Sequence, residues 1–587
     1  MVPSSDTASA FLNVTCSAGG RRWAGLSHDQ ERMAQAISQT AGVPDIVGRI
    51  LARRGIGRGE AAAYLAPTLR DLMPDPSRLR DMDAAAERLV TAVERGERIA
   101  IFADYDVDGG SSAALLTSWL RKCGLGATLY VPDRIDEGYG PNVPAMRDLG
   151  AAHDLVVCVD CGTLSHEPVA AADCDVVVVD HHQGGETLPP ALAVVNPNRQ
   201  DETGELAHLC AAAVVFLLLV GANRLMRARG RAAPDLMGML DLVALATVAD
   251  VAPLIGLNRA FVRQGLAVMA RRARPGIAAL ADVGGAKGVI GTYGLGFILG
   301  PRVNAGGRVG AADLGARLLA TEDPSEAAAL AERLHELNAE RREIEAGVLA
   351  SARAQAEARG VDGPLVWAAG EGWHPGVVGI VAARLKEAFG RPAVVIGFDG
   401  DAGKGSARSV RGVDLGAGIA RLVRDGLIEK GGGHLMAAGL SLGRHQLESA
   451  MERLGELLAD QGAGRLTAGA LEIDGLVTPA AATPDLADLI ASAGPYGAGN
   501  PAPSVALASV RATRGRRVGD SHLALTLTDP QGGRLDAIAF RAFEGPLGPF
   551  LAERQGAQVH VAGRLERDDW GGRTKAKLTV HDAAVPS

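Results

Sequence analysis

The chain has 587 residues, 47% of them hydrophobic but only 4% aromatic, with 76 glycines and a formal net charge of −8. That size predicts three or four domains whose cores are built from Ala, Val, Leu and Ile, as in α/β layers. The charge argues against a protein that coats duplex DNA non-specifically, and six cysteines in the first half of so long a chain argue against a disulfide framework.

The opening residues MVPSSDTASAFLNVTC lack a basic stretch and a continuous apolar core, so no signal peptide is read. Residues 1–80 read as an N-terminal helical region, because VGRILARRGIGRGEAAAYLAPTLRDLMPDP has helix-spaced apolar positions closed by prolines. Residues 81–315 read as α/β. The runs RIAIFADYD, LVVCVDCG and DVVVVDHH are short and almost wholly apolar, like strands buried on both faces, and each ends in acidic or histidine residues. Open parallel sheets bind ligands at that end of their strands. The longest apolar run, Leu209–Ala222, is too short to cross a bilayer and reads as a buried helix, so a cytoplasmic protein without a membrane partner is expected.

Residues 316–360 read as one long connecting helix, and 361–462 as a smaller α/β unit with strand-like GPLVWAAGE and RPAVVIGFD around a helical VVGIVAARLKEAF. From 466 to 587 the pattern turns to short alternating strands, as in a small OB-like β-barrel. Between Val505 and Ser587, 12 Lys/Arg stand against 9 Asp/Glu, a net +3 in an acidic chain, which suits a single-strand-binding module.

Four acidic sites carry the chemistry. In Asp104-Tyr105-Asp106-Val107-Asp108-Gly109, an extended chain places three carboxylates on one face, a crowd that needs a cation. Hard oxygen ligands suit Mg²⁺ or Mn²⁺, glycines 109 and 110 allow a tight turn, and no Glu completes an EF-hand loop. Asp160 closes the next strand inside Cys158-Val159-Asp160-Cys161; that C-x-x-C lacks the second pair a zinc site needs, and a redox pair is a minor alternative. Asp180-His181-His182 closes a third strand, and Asp250 ends an apolar helical run from Asp241.

In this order, Asp106-x-Asp108, Asp160, Asp180-His181-His182 and Asp250 resemble the DHH phosphoesterases. The segments DYDVDG, DEGYGPN, VNPNRQD, LATVADVAPL, GPRVNAGGRVG, GWHPGVVGIVAARL, GSARS, GGGHLMAAG and GPYGAGNPAP resemble the RecJ family in particular, from about residue 70 to the end. The resemblance implies a DHH parallel-sheet domain, a smaller DHH-associated α/β domain and an OB-like barrel. It implies a single-stranded-DNA-specific 5′-to-3′ exonuclease with two Mn²⁺ or Mg²⁺ ions, releasing 5′-mononucleotides in DNA repair and recombination, with a single-strand-binding protein and a repair helicase as family partners. Asp106, Asp108, Asp160, His181 and Asp250 would be ligands, Asp160 bridging; His182 would face the scissile phosphate, and Asp104 would be a direct or outer ligand. Arg302, Asn304 and Arg308 would line the cleft between the two α/β domains, with His374 in a matching turn. Ser406, Arg408 and His434 would bind phosphates, beside a glycine loop at Gly432 and Gly433. Two other readings compete: an enzyme for small substrates (nanoRNase, cyclic-dinucleotide phosphodiesterase or pyrophosphatase), which would generally lack the barrel, and an inactive scaffold, which would have lost the acidic and histidine positions.

Overall fold

The computed structural model describes residues 10–134, 137–286, 288–464, 469–569 and 574–586. The first nine residues, on which the signal-peptide reading partly rests, and Asp136 of the DEGYGPN motif lie outside them. Two compact units are present. One comprises Pro74–Ala252 and Phe261–Thr467; the other comprises Met1–Met73, Pro253–Ala260 and Ala468–Ser587.

The larger unit holds two sheets. The first is parallel, with strands β1 (Ile99–Ala103), β2 (Ala127–Tyr130), β3 (Leu155–Val159), β4 (Asp175–Val179) and β5 (Ala193–Val195) in the order β2-β1-β3-β4-β5. All five residues of β1 and of β3 are buried, as a sheet covered by helices on both faces requires. The chain leaves β1 toward β2 and then returns to β3 on its other side. The crevice between the carboxyl ends of β1 and β3 is therefore a topological switch point, where such sheets bind ligands.

Helices α1 (Val107–Lys122), α2 (Ala211–Ala228) and α3 (Leu240–Ala249) belong to this half. α2 runs six residues beyond the apolar stretch seen in the sequence and is long and apolar enough to cross a membrane, yet 67% of it is buried in the unit, with its N-terminus engaged by Asp108. α4 (Gly300–Val309) follows. The expected continuous helix over 316–360 is instead two, Leu314–Ala320 and α5 (Pro324–Arg359). Asp323 caps α5 and Pro324 occupies its first turn, the residue pair that starts a helix rather than continuing one.

The second sheet has β6 (Val366–Glu371), β7 (Ala393–Asp399), β8 (Ala402–Arg408), β9 (Lys430–His434) and β10 (Ala437–Gly443) in the order β9-β10-β8-β7-β6. Helix α6 (Pro375–Phe389) packs on one face beside Ala368, Val395 and the end of α5, and α7 (Leu415–Arg424) on the other through Ile419 and Leu422. The GGGH segment, expected as a loop, is the edge strand β9, paired residue for residue with β10.

The smaller unit is a closed five-stranded barrel of β12 (Val505–Val518), β13 (His522–Thr528), β14 (Arg534–Ala539), β15 (Gln558–Asp568) and β16 (Lys575–Ala584), with the short β11 (Gly475–Leu476) added to β12. Closure comes from the β12–β15 pairing, and β14 and β16 run parallel. Residues 10–73, expected as a separate helical region, belong to this unit. Their two main helices bury Ile37, Val47, Ile50 and Leu51 in one core with Ile490, Val505 and Leu523, and Trp23 donates to buried Asp582 at 3.1 Å. Short amphipathic helices need such a partner face to be stable.

Candidate metal centre

The acidic sites meet at the switch point. Asp104 stands at the end of β1, but the chain does not stay extended beyond it as expected. Asp106 is the N-cap of α1, its Oδ1 accepting from the N–H groups of Asp108 and Gly109 at 2.8 and 3.1 Å. Asp108 therefore sits in the first helical turn. The turn is so tight that a Cβ on Gly109 would lie 2.3 Å from the Asp104 carbonyl oxygen; glycine serves close approach here rather than a special φ. The Asn304 side-chain carbonyl accepts from the Val107 N–H at 3.0 Å and fixes the same turn from α4.

Asp108 reaches the N-terminus of α2, where its two oxygens accept from the N–H groups of Ala211 and Ala212 at 2.7 and 2.8 Å. A helix N-terminus favours a carboxylate, so this anchor opposes, without cancelling, the burial that with Asp106 raises Asp108 above the ordinary carboxylate range. Asp160, at the end of β3, has φ of 60° and is 2% exposed.

Donor atoms from these elements cluster within 4.8 Å in three overlapping groups: Asp104, Asp106 and Asp160; Asp108, His181 and Asp250; and Asp160, His181 and His182. His181 Nε2 lies 3.3 Å from Asp160 and 3.7 Å from Asp108, with Nδ1 3.9 Å from Asp250. Asp104 Oδ1 and Asp160 Oδ1 are buried without a hydrogen-bond partner among the described residues. Burial and the neighbouring carboxylates push Asp104 and Asp160 well above the ordinary carboxylate range. Burial, then Asp108 and Asp106, carries Asp250 up to about 8. Buried, mutually repelling oxygens with open lone pairs are what a hard divalent cation satisfies. The donor set of carboxylates with an imidazole suits Mn²⁺ or Mg²⁺.

Asp180 does a different job. Its Oδ1 accepts from the His181 and His182 N–H groups and approaches His182 Nδ1 at 2.8 Å, while Oδ2 accepts from the Thr163 N–H at 3.0 Å. Burial disfavours charge on His182, but the bond and charge of Asp180 outweigh it and raise the imidazole to about 9. Burial also opposes the Asp180 charge, yet the bonds from His182 and Thr163 hold it below the usual range. The Asn196 amide donates to the His182 carbonyl and Thr163 Oγ1, both at 2.8 Å, and Asn198 donates to the His181 carbonyl at 2.6 Å. The Tyr139 hydroxyl lies 3.2 Å from both the His182 ring and the Asp160 carbonyl. Tyr139, Asp180, Asn196 and Asn198 all stand in the family-like motifs, but no local pattern announces their roles, because each acts on backbone brought from another strand end.

The remaining expected residues divide. Arg308 donates to the Gly376 carbonyl at 3.0 Å, tying α4 to α6; burial, with Arg134 and Arg341 near, lowers it to about 10. His374 is the N-cap of α6, its Nδ1 accepting from Gly376 at 3.0 Å, and burial keeps it neutral. Ser406 and Arg408 share one face of β8, and Arg408 is lowered by burial and by Arg134. Gly432, Gly433 and His434 are exposed on β9. Arg302 is turned elsewhere: it donates to the Ile298 carbonyl at 2.7 Å and to His335 at 3.2 Å, so it braces α4 against α5. The C-x-x-C cysteines are free thiols that burial pushes up, the opposite of a reactive pair.

Family models match three stretches: the DHH family N-terminal domain at residues 98–247, the DHHA1 domain at 362–460 and the RecJ OB domain at 473–582. The chain is 36% identical over 566 residues to the single-stranded-DNA-specific exonuclease RecJ of Salmonella typhimurium, covering 92% of this chain and 96% of that one. The fold is similar to RecJ of Thermus thermophilus in complex with Mn²⁺, with a TM-score of 0.78 at 29% identity over 96% of this chain and 80% of that one. Its Mg²⁺ complex gives 0.72 at 28% identity, covering 96% of this chain and 78% of that one.

Proposed function

Because the chain belongs to the RecJ family of single-stranded-DNA-specific exonucleases, we infer that it is a metal-dependent exodeoxyribonuclease that degrades single-stranded DNA. The observation that carries the mechanism is the convergence of two donor groups, Asp104/Asp106/Asp160 and Asp108/His181/Asp250, around buried oxygens that lack partners among the described residues. Asp104, Asp106 and Asp160 would hold one ion and Asp108, His181 and Asp250 a second, with Asp160, 3.3 Å from His181 Nε2, the residue that would be shared. When bound, Mn²⁺ or Mg²⁺ supplies an activated water and compensates charge that develops on the phosphate.

The chain's own residues do the rest. His182, kept cationic by Asp180, faces Asp160 at 3.8 Å and donates a proton or a charged hydrogen bond to the phosphodiester. Asn196 and Asn198 hold the loop that aims both histidines. Ser406, Arg408 and His434, with the bare backbone at Gly432 and Gly433, bind strand phosphates near Arg308 and His374. Asn304 keeps the Asp106–Asp108 turn closed, and Arg302 positions α4. Digestion runs 5′ to 3′ and releases 5′-mononucleotides. Repair and recombination in the cytoplasm, alongside a single-strand-binding protein and a repair helicase, is the setting of this reading. The OB barrel and its family match weigh against a small-substrate enzyme, and the filled ligand positions against a scaffold.

The test offers 5′-labelled single-stranded DNA, duplex DNA, a dinucleotide and pyrophosphate with Mn²⁺ and with EDTA. Mononucleotide release from single strands alone, abolished by EDTA, is expected; cleavage of the dinucleotide alone would sink the assignment.

A further inference from the structure

The second sheet carries a cavity of about 320 Å³ whose lining includes residues to which the exonuclease reading gives no role, Lys404, Lys430 and Ser441. Its lining includes Arg134, Lys404 and Lys430 and, among the described residues, no carboxylate. Strand register explains its construction. Alternate residues of a strand share a face, so three rows cross β8, β10 and β9 side by side: Arg408–Ala437–His434, Ser406–Gly439–Gly432 and Lys404–Ser441–Lys430. The first two rows hold the residues assigned to strand phosphates. The third has an exposed lysine at each end and a serine between them.

Neighbouring rows are two residues apart, roughly 7 Å. The middle row is bare. A Cβ on Gly432 would meet nothing within 4 Å, and one on Gly439 only the Gly405 carbonyl at 4.0 Å. Neither position has a positive φ, so the missing side chains leave space rather than relieve strain. The cavity equals roughly ten water volumes, more than one phosphate group fills. On the side toward the metal centre stands Arg134, its guanidinium 5.2 Å over the ring of Tyr105, the residue between Asp104 and Asp106. Compact ammonium charges converging on an open floor suit phosphate oxygens.

We propose that the Lys404–Ser441–Lys430 row, with Arg134, is a subsite for the β- and γ-phosphates of a polyphosphorylated 5′ end. The proposal rests on the exonuclease reading and on the placement of the terminal phosphate at Ser406 and Arg408. Water adds to the phosphorus of the first internucleotide diester, the P–O3′ bond breaks with its electron pair on O3′, and O3′ takes a proton. The released nucleotide keeps whatever its 5′ oxygen carries. A triphosphate-ended strand therefore yields a nucleoside triphosphate first and monophosphates afterwards, and only the first turnover uses the subsite.

The experiment uses 3′-labelled single strands of one sequence with a 5′-monophosphate or a 5′-triphosphate, Mn²⁺, the full-length enzyme and a Lys404→Ala/Lys430→Ala variant; the label follows shortening, and the first released product is identified by mass spectrometry. Both lysines are exposed, and an unchanged melting temperature verifies the variant's fold. The wild type is expected to degrade both strands and to release a nucleoside triphosphate first from the second. The variant is expected to slow on the triphosphate end alone, by roughly tenfold or more in kcat/KM. A wild type that stalls on the triphosphate end, that releases pyrophosphate first, or a variant slowed equally on both ends, overturns the subsite while the exonuclease reading stands. Failure on the monophosphate end overturns both.

Discussion

At Asp160 three costs coincide: a left-handed backbone, near-complete burial and a carboxylate oxygen without a partner among the described residues. The backbone alone costs about 1–3 kcal/mol, and the buried charge adds to it. These costs are sensible only where the folded protein gains something in return, and a shared cation is that gain. Asp160→Asn, whose side chain tolerates the same φ, is expected to lower turnover by on the order of 10³-fold or more and to leave single-strand binding intact. Its melting temperature without metal should match or exceed the wild type's; retained turnover would refute the bridging role. Asp180 acts one step removed, through His182. Asp180→Asn should cost roughly 10–100-fold in kcat with little change in KM, read by steady-state kinetics; an unchanged kcat would leave Asp180 a purely local brace. The sequence showed Asp104, Asp160 and Asp180 because each closes an apolar strand, and Asp250 because it ends an apolar helical run. Strand-end position alone does not distinguish ligand from brace: only the resemblance put Asp160 among the ligands and left Asp180 out, and the hydrogen bonds of Asp180 give it the bracing role.

Elements place these residues more by their ends than by their faces. β1 and β3 deliver Asp104 and Asp160 to the two sides of the switch point, α1 begins on Asp106, and the start of α2 receives Asp108. The strands were legible as near-continuous apolar runs. The extended reading of Asp104–Asp108 failed because an i, i+2 pattern cannot reveal that Asp106 caps a helix. His374 and Arg302 read as substrate-binding residues in sequence; in the fold His374 caps α6 through the Gly376 N–H, and Arg302 bonds the Ile298 carbonyl and the His335 ring. In the barrel, β12 exposes Arg511, Arg514 and Arg516 along one stretch. Replacing all three with Ala should weaken single-strand binding and lower the slope of log K against log salt by about 0.7 for each phosphate left unneutralised. Fluorescence anisotropy across salt concentrations measures this, and an unchanged slope would remove the strand from that surface.

For the whole molecule, the acidic centre makes stability depend on metal and pH together. The Asp250 carboxyl titrates near 8 when folded but near its ordinary value of 3.8 when exposed. Across that window the folded state holds the extra proton, so metal-free stability falls as pH rises. A bound divalent cation removes the repulsion, and saturation at a hundred times Kd adds about 2.7 kcal/mol. The rise in melting temperature on adding Mn²⁺ should therefore be larger at pH 8 than at pH 6. Calorimetry can follow it in the unit that holds the centre, since two units need not melt together. That residues 10–73 and 253–260 share a unit with the barrel was illegible, because sequence periodicity shows which face is apolar and not which distant face will cover it. The most direct measurement is anomalous scattering at the manganese edge from crystals grown with Mn²⁺. Two peaks are expected, one among Asp104, Asp106 and Asp160 and one among Asp108, His181 and Asp250. A single peak away from Asp160, or none at this cluster, would contradict a two-ion centre bridged by that residue.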